Sequence, residues 1–357
     1  LLFLTPDFPP AHGGVQSLVH GLARALTGFE VVVLTLDGAG ASSFDSGSGI
    51  STRRVTVRGR GPRRRVIALN AAAVRRAAAW RPDVVLSAHV VVSPAAAVIR
   101  RLFGARTVQY FYGNEILHRP RLAAFASRAA DAPVAISAYT ASLVAAAGGA
   151  SAVEVIPPGI DLVADGRGEA PEHPTLLTVA QLKHAYKGHD VVIEALAEVS
   201  ARVADVRWVV IGEGPLRADL EGRVRVAGLG DRVRFLGEVA DRERDRWMRR
   251  CEVFVMPSRL PGEGFGIAFL EAGARGKPVV AGNVGGPLEA VEHGVSGLLV
   301  DPCDPRALAD ALSRLLLDRD LAGRLGRGGA RRAREFAWPT IAARLEASMH
   351  ALLERPA

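Results

Sequence analysis

The chain holds 357 residues, 49% of them apolar and 23% charged, with a net charge of +8. That length and apolar content predict two domains, each with its own core. No apolar run reaches bilayer-spanning length, and the two cysteines, Cys251 and Cys303, make no metal-ligand spacing, which fits a reducing, cytoplasmic compartment.

The first residues, 1–5, read as a buried strand rather than a signal peptide. A loop with Gly13 and Gly14 follows, then a helix over about 15–26. Further strands are expected at 30–36, 83–87, 106–110, 133–136 and 153–156, with Ala-rich helical stretches near 66–80 and 138–147. The Gly/Ser-rich segment 38–49 reads as a mobile surface loop. A polar linker over 161–174 precedes a second alternating series, with strands at 175–180, 207–211, 232–236, 253–256, 278–281 and 297–300. Alternation of strand and helix predicts an α/β chain of two parallel, doubly wound, Rossmann-like domains. Their expected bounds are 1–163 and 164–336, with a closing helix over 337–357.

Charge is unevenly placed. Residues 1–165 carry 17 Arg and no Lys against 10 acidic residues, and the remainder is nearly balanced. Much of the excess lies between 53 and 76, including Arg58, Arg60, Arg63, Arg64 and Arg65. Such a cluster suits phosphate groups or an anionic membrane surface; equally, it reads as a solvated face. Aromatic residues do not interleave it, which argues against nucleic acid.

Several motifs fall where strands end, the places at which parallel sheets bind ligands. Gly13 and Gly14 put backbone N–H groups at a helix start, where an anion is favoured. The pair is not the dinucleotide-binding fingerprint, which argues against a dehydrogenase. Lys187, before Gly188, is a natural partner for a diphosphate. Gly212-Glu213-Gly214-Pro215 reads as a structural turn, and Gly285-Gly286 opens another helix, with Glu289 in its first turn. The most informative stretch is 257–271, which holds Glu263 in a glycine-rich loop and Glu271 on the apolar run that follows. Phosphate donors beside carboxylates that hold hydroxyls suit a nucleotide sugar.

In these motifs the chain resembles the retaining GT-B glycosyltransferases of family 4 (glycosyl transferases group 1), and most of all their phosphatidylinositol mannosyltransferase-like members. The Glu263…Glu271 pair carries the resemblance, with Tyr186-Lys187-Gly188-His189-Asp190, Pro157-Pro158-Gly159-Ile160-Asp161 and Val284-Gly285-Gly286 in support. It implies two Rossmann-like domains facing across a cleft. Donor contacts would come from Gly13, Gly14, Gln181, Lys187, Gly237, Val239, Glu263, Phe265, Gly266, Ile267 and Glu271. Glu271 would hold the donor ribose and Glu263 would face the donor sugar. Lys187 would neutralise the leaving diphosphate, making Glu263 and Lys187 the catalytic residues. Tyr112 and Glu115 would lie on the acceptor side.

Two departures stand out. Gln181 stands where the family has Arg, which shifts leaving-group stabilisation onto Lys187. Tyr112-Gly113-Asn114-Glu115 stands where His-Gly-x-Glu is common, and Tyr cannot act as a cation near neutral pH. With the acidic pair and Lys187 intact, both read as marks of a subgroup. The expected activity is transfer of a hexose of mannose or glucose type from a nucleoside diphosphate sugar, GDP-mannose or UDP-glucose. Configuration would be retained by front-face attack, with no metal and no other cofactor. The expected acceptor is a sugar or glycolipid, lipid-linked or anionic, reached from the cytoplasmic face of the plasma membrane. The alternatives are a non-catalytic nucleotide-sugar-binding protein and a nucleotide-sugar 2-epimerase of the same fold.

Overall fold

A computed structural model describes residues 1–11, 13–57, 59, 61–163 and 171–356. His12, Arg58 and Arg60 lie outside the described residues, as does the start of the expected second domain. The chain forms two units: Leu1–Gly159 with Trp338–Ala357, and Ile160–Ala337. The division thus falls after Gly159 rather than after residue 163.

The first unit is built on seven parallel strands: Leu2–Leu4 (β1), Val32–Leu36 (β2), Ser51–Val55 (β3), Val84–Ser87 (β4), Arg106–Phe111 (β5), Ala132–Ala135 (β6) and Glu154–Val155 (β7). Their order is β3-β2-β1-β4-β5-β6-β7, which reverses direction between β1 and β4. β1, β2 and β4 are apolar because helices cover both faces of a parallel sheet, and their side chains are almost wholly buried. The edge strand β3 was not expected. Its S-T-R-R-V sequence carries no apolar alternation, and Arg54 within it is held by Asp45 and by the carbonyls of Pro9 and Leu36. The segment expected to be a loop over 38–49 contains a helix, Ala41–Ser48, bounded by glycines in the left-handed region.

The closing helix, Trp338–Leu353, belongs to this unit. Trp338 packs where Gly21 and Gly159 leave room: a Cβ on either would come within 2.2 Å of its ring. Arg344 donates to the Val155 carbonyl, and Glu346 accepts the Gly28 N–H.

The second unit has six parallel strands: Thr175–Val179 (β8), Arg207–Ile211 (β9), Val233–Gly237 (β10), Val253–Met256 (β11), Val279–Gly282 (β12) and Gly297–Val300 (β13). Their order is β10-β9-β8-β11-β12-β13, so this sheet reverses between β8 and β11. Trp208, fully buried, anchors one face and donates its indole N–H to Thr178, which in turn donates to the Val255 carbonyl.

Candidate functional site

In doubly wound sheets the crevice at the reversal of strand order receives ligands. In the second unit that crevice is framed by the loops after β8 and β11, and the two are stitched together. The Arg259 N–H donates to the Tyr186 carbonyl at 2.7 Å. Its guanidinium donates to the Ala185 carbonyl and to both oxygens of Asp190. The Tyr186 ring stacks on His184 and lies so close over Gly262 that a Cβ there would sit 2.2 Å from it.

This stitching brings Lys187 and Glu263 into contact. Lys187 Nζ lies 2.5 Å from Glu263 Oε2, and the buried Ser258 hydroxyl donates to the same oxygen at 3.2 Å. The lysine and glutamate side chains are 17% and 12% exposed, so the pair is largely desolvated but open on one side. Burial pulls the Lys187 ammonium down. The adjoining Glu263 carboxylate outweighs it and holds the group above its ordinary value, so Lys187 is a fixed cation at any physiological pH.

Gly266 caps the helix Ile267–Ala274 with φ 92°, a backbone conformation that favours glycine. The Phe265 side chain is core, packed on Phe336, which leaves only its backbone for a ligand. The Gly286 N–H donates to the Glu263 carbonyl, and Gly286 lies against the carbonyl of Gly264. Glu271 rises from the second turn of the helix, 24% exposed, with Arg244 at 3.6 Å. Arg275 ties that helix to its neighbour Asp241–Arg250, donating to the Glu271 carbonyl and to Asp245. Gly237 ends β10 and accepts the Gly212 N–H, with Val239 two residues on; Gln181, just beyond β8, is exposed.

The second unit therefore joins Lys187 to Glu263 directly, and sets Glu271, Gly237, Val239 and Gln181 on neighbouring strand-end loops and the helix after β11. Ser258, Arg259 and Arg275 also build this region; Ser258 and Arg259 fall inside the 257–271 stretch, but none of the three is singled out as a site residue by the sequence.

In the first unit Gly13 caps the helix Gly14–Ala25, and Gly14 has open space around it. Tyr112 and Glu115 follow β5. Glu115 Oε1 accepts the Tyr112 N–H at 2.6 Å, so this carboxylate clamps the turn. Burial nevertheless pushes its pKa up.

Two family profiles divide the chain: Glycosyltransferase Family 4 matches residues 12–163 and Glycosyl transferases group 1 matches residues 164–332. A GDP-mannose-dependent alpha-(1-6)-phosphatidylinositol monomannoside mannosyltransferase of Mycobacterium tuberculosis is 33% identical, over 97% of this chain and 96% of that protein. The chain belongs to the family 4 glycosyltransferases. A D-inositol 3-phosphate glycosyltransferase of Nocardioides is 36% identical over 53% of this chain and 46% of its own length. Among solved structures, Anabaena Alr3699/HepE in complex with UDP and glucose superposes with a TM-score of 0.83 at 23% identity, covering 98% of this chain and 99% of that one. Sucrose-phosphate synthase of Thermosynechococcus elongatus gives 0.82 at 24%, covering 98% of each. These likenesses make the fold GT-B, the two-Rossmann architecture of this glycosyltransferase family.

Proposed function

We propose that this family 4 glycosyltransferase moves a hexose from a nucleoside diphosphate sugar to an acceptor with retained configuration. The observation that carries the reading is the Lys187–Glu263 pair at the strand-order reversal of the second unit. Lys187 supplies a permanent positive charge for the departing diphosphate, a role in which preorganised charge lowers the barrier. Glu263, pinned by Lys187 and Ser258, faces the donor sugar and holds a hydroxyl. Glu271 takes the ribose hydroxyls, with Gly237 and Val239 beside the base and the backbone of Phe265, Gly266 and Ile267 along the sugar and phosphates. With both glutamates so occupied, neither is free as a nucleophile. The acceptor hydroxyl therefore attacks from the leaving-group side and passes its proton to the departing phosphate oxygen. The relative's dependence on GDP-mannose favours mannose as the sugar.

A fixed lysine at the diphosphate makes a divalent ion unnecessary, and turnover should persist in excess chelator. Abolition by chelator would sink that part. The donor itself is read by thermal shift, GDP against UDP, since binding raises the midpoint by mass action. Consumption of the matching sugar nucleotide, with the anomeric configuration of the product read by NMR, then tests transfer and retention together.

The acceptor is proposed to be lipid-linked, met at an anionic membrane. Arg63 and Arg64 are exposed in the first turn of the helix Pro62–Trp80, next to Ile67, which is 68% exposed. Arg65, half-buried, donates to the Asp37 carbonyl. Sedimentation with liposomes should require anionic lipid, and equal, negligible binding to both kinds of liposome would count against the idea. Among the described residues no helix is long and apolar enough to cross a membrane.

A further inference from the structure

The cation of the second unit has a competitor built in beside it. Lys187 Nζ donates to Glu263 Oε2 at 2.5 Å, so the ammonium that serves a diphosphate also serves a carboxylate. Both side chains are largely buried, and there opposite charges act on each other far more strongly than in water. An ammonium has three N–H donors. Among the described residues Glu263 takes one of them and no other oxygen takes another. The rest are left for phosphate oxygens, but the charge behind them is partly neutralised.

Glu263 is divided in a matching way. Its Oε2 accepts from both Lys187 and the Ser258 hydroxyl, and Ser258 is wholly buried. Among the described residues nothing donates to its other oxygen, Oε1. A carboxylate accepts at both oxygens, so Oε1 is available to a hydroxyl of the donor sugar. Such a bond draws carboxylate charge toward the sugar and away from Lys187. Arg259 ties the two loops together through the Ala185 and Tyr186 carbonyls and through Asp190, and the centre of the Tyr186 ring lies 5.3 Å from Lys187 Nζ. The carboxylate therefore stays beside the ammonium when another anion arrives.

We propose that Glu263 tempers the hold of Lys187 on a diphosphate, and that a sugar hydroxyl bound to Glu263 relieves this. The site then grips a nucleoside diphosphate sugar in full. It grips the nucleoside diphosphate left after transfer less than its lysine alone would allow, which favours release of that product. Glu263 is in this role a specificity-determining residue. The inference rests on the glycosyl-transfer reading and adds discrimination between donor and product to it.

The test is titration calorimetry on the full chain with GDP, UDP, GDP-mannose and UDP-glucose. Glu263→Gln keeps an oxygen for Lys187 and Ser258 and removes the charge. It should bind the nucleoside diphosphate that wild type accepts at least tenfold more tightly, while affinity for the matching sugar nucleotide changes less than threefold. A Glu263 that only aimed Lys187 would give the opposite sign: unchanged or weaker diphosphate binding in this variant overturns the proposal. Losing one partner of a buried pair also costs stability, so near-ultraviolet circular dichroism first checks the fold. Glu263→Ala is the second variant. It removes the same charge, leaves a space open to water, and should tighten the diphosphate likewise. Glu271→Gln removes an equal charge from the ribose side and should weaken both nucleotides together. A gain there as large as that of Glu263→Gln would reduce the effect to general repulsion and overturn the proposal too. Wild type that binds none of the four nucleotides removes the donor reading and this inference with it. Binding in wild type with no gain in Glu263→Gln leaves the donor reading standing and removes only this one.

Discussion

The two strand-order reversals of this chain are built from opposite materials. In the second unit the crevice is charged and satisfied: Lys187 pairs with Glu263, Ser258 completes the carboxylate, and Arg259 ties the two loops together. In the first unit it is less complete: the buried Tyr112 hydroxyl has no hydrogen-bond partner among the described residues, and Glu115 is spent on the backbone of its own turn. One fold, used twice, thus offers a paired, fixed cation in one place and an unpaired buried hydroxyl in the other.

The comparison is broken most severely by removing the cation. Lys187→Ala should lower kcat by about 100- to 1,000-fold, the size seen when one preorganised charge-stabilising group is lost. Ser258 still holds Glu263 in that variant, so folding should survive, and single-turnover rates will check the drop. An activity within threefold of wild type would remove Lys187 from the chemistry. The matching change in the first unit, Tyr112→Phe, should leave nucleotide binding untouched.

How much of this was legible beforehand follows from what each contact spans. Lys187 and Glu263 each announce themselves locally, through glycine-flanked motifs at the ends of apolar strands. Arg259 does not, because its partner Asp190 is 69 positions away and only the adjacency of β8 and β11 joins them. Arg275 is hidden because its side-chain partner Asp245 is 30 positions away, whereas Ser258 lies five residues from Glu263 in the same loop and lacks only a residue type that signals the contact. Asp7 lies in a loop whose glycines draw attention to phosphate binding, and only the strand order β1-β4-β5 brings that loop to the same end of the sheet as Tyr112. β3 escaped because its stability comes from partners of Arg54 in other segments, not from apolar alternation. Gly286 read as a turn former, yet its small size is set by the Gly264 carbonyl pressing on it.

Acid should separate the two units. His189 is buried against Trp208, and burial first, then Lys187, pulls its pKa down to about 4. The unfolded chain takes up that proton near pH 6.5 and the folded one does not. Stability therefore falls as pH drops from 6.5 to about 4, by about 1.4 kcal/mol per unit for such a group. His89 places the same liability in the first unit, but Asp7 and Glu115 there have raised values and bind protons more readily when folded, which offsets the loss. Hydrogen exchange measured between pH 6.5 and 4.5 should show protection lost earlier in the helix His189–Arg202 than in the helix Ser93–Phe103. The reverse order would contradict these assignments.

Glu271→Ala sharpens the donor side with a smaller effect. Losing hydrogen bonds from a charged group costs about 1.5–3 kcal/mol, so donor KM should rise at least tenfold while kcat falls less. The helix should stay in place, because Arg275 holds the Glu271 carbonyl rather than its carboxylate. Unchanged donor affinity in the alanine variant would detach Glu271 from the nucleotide.

The smallest effect isolates the stitching itself. Gly148 in the first unit and Gly188 in the second share φ of 77°, so alanine at either meets the same backbone strain, about 1 kcal/mol. Their surroundings differ. Nothing lies within 4 Å of a Cβ at Gly148, whereas at Gly188 it would sit 2.3 Å from the Pro257 carbonyl oxygen. Gly148→Ala should therefore show strain alone. Gly188→Ala should cost about 1 kcal/mol more, as overpacking does, and should also slow turnover, because relieving the clash moves the loop after β8 away from the loop after β11 and parts Lys187 from Glu263. Denaturant midpoints of the two variants give the difference directly. Equal midpoints and unaltered kcat would mean that the two loops are not coupled through this contact, and that Lys187 is placed by its own loop alone.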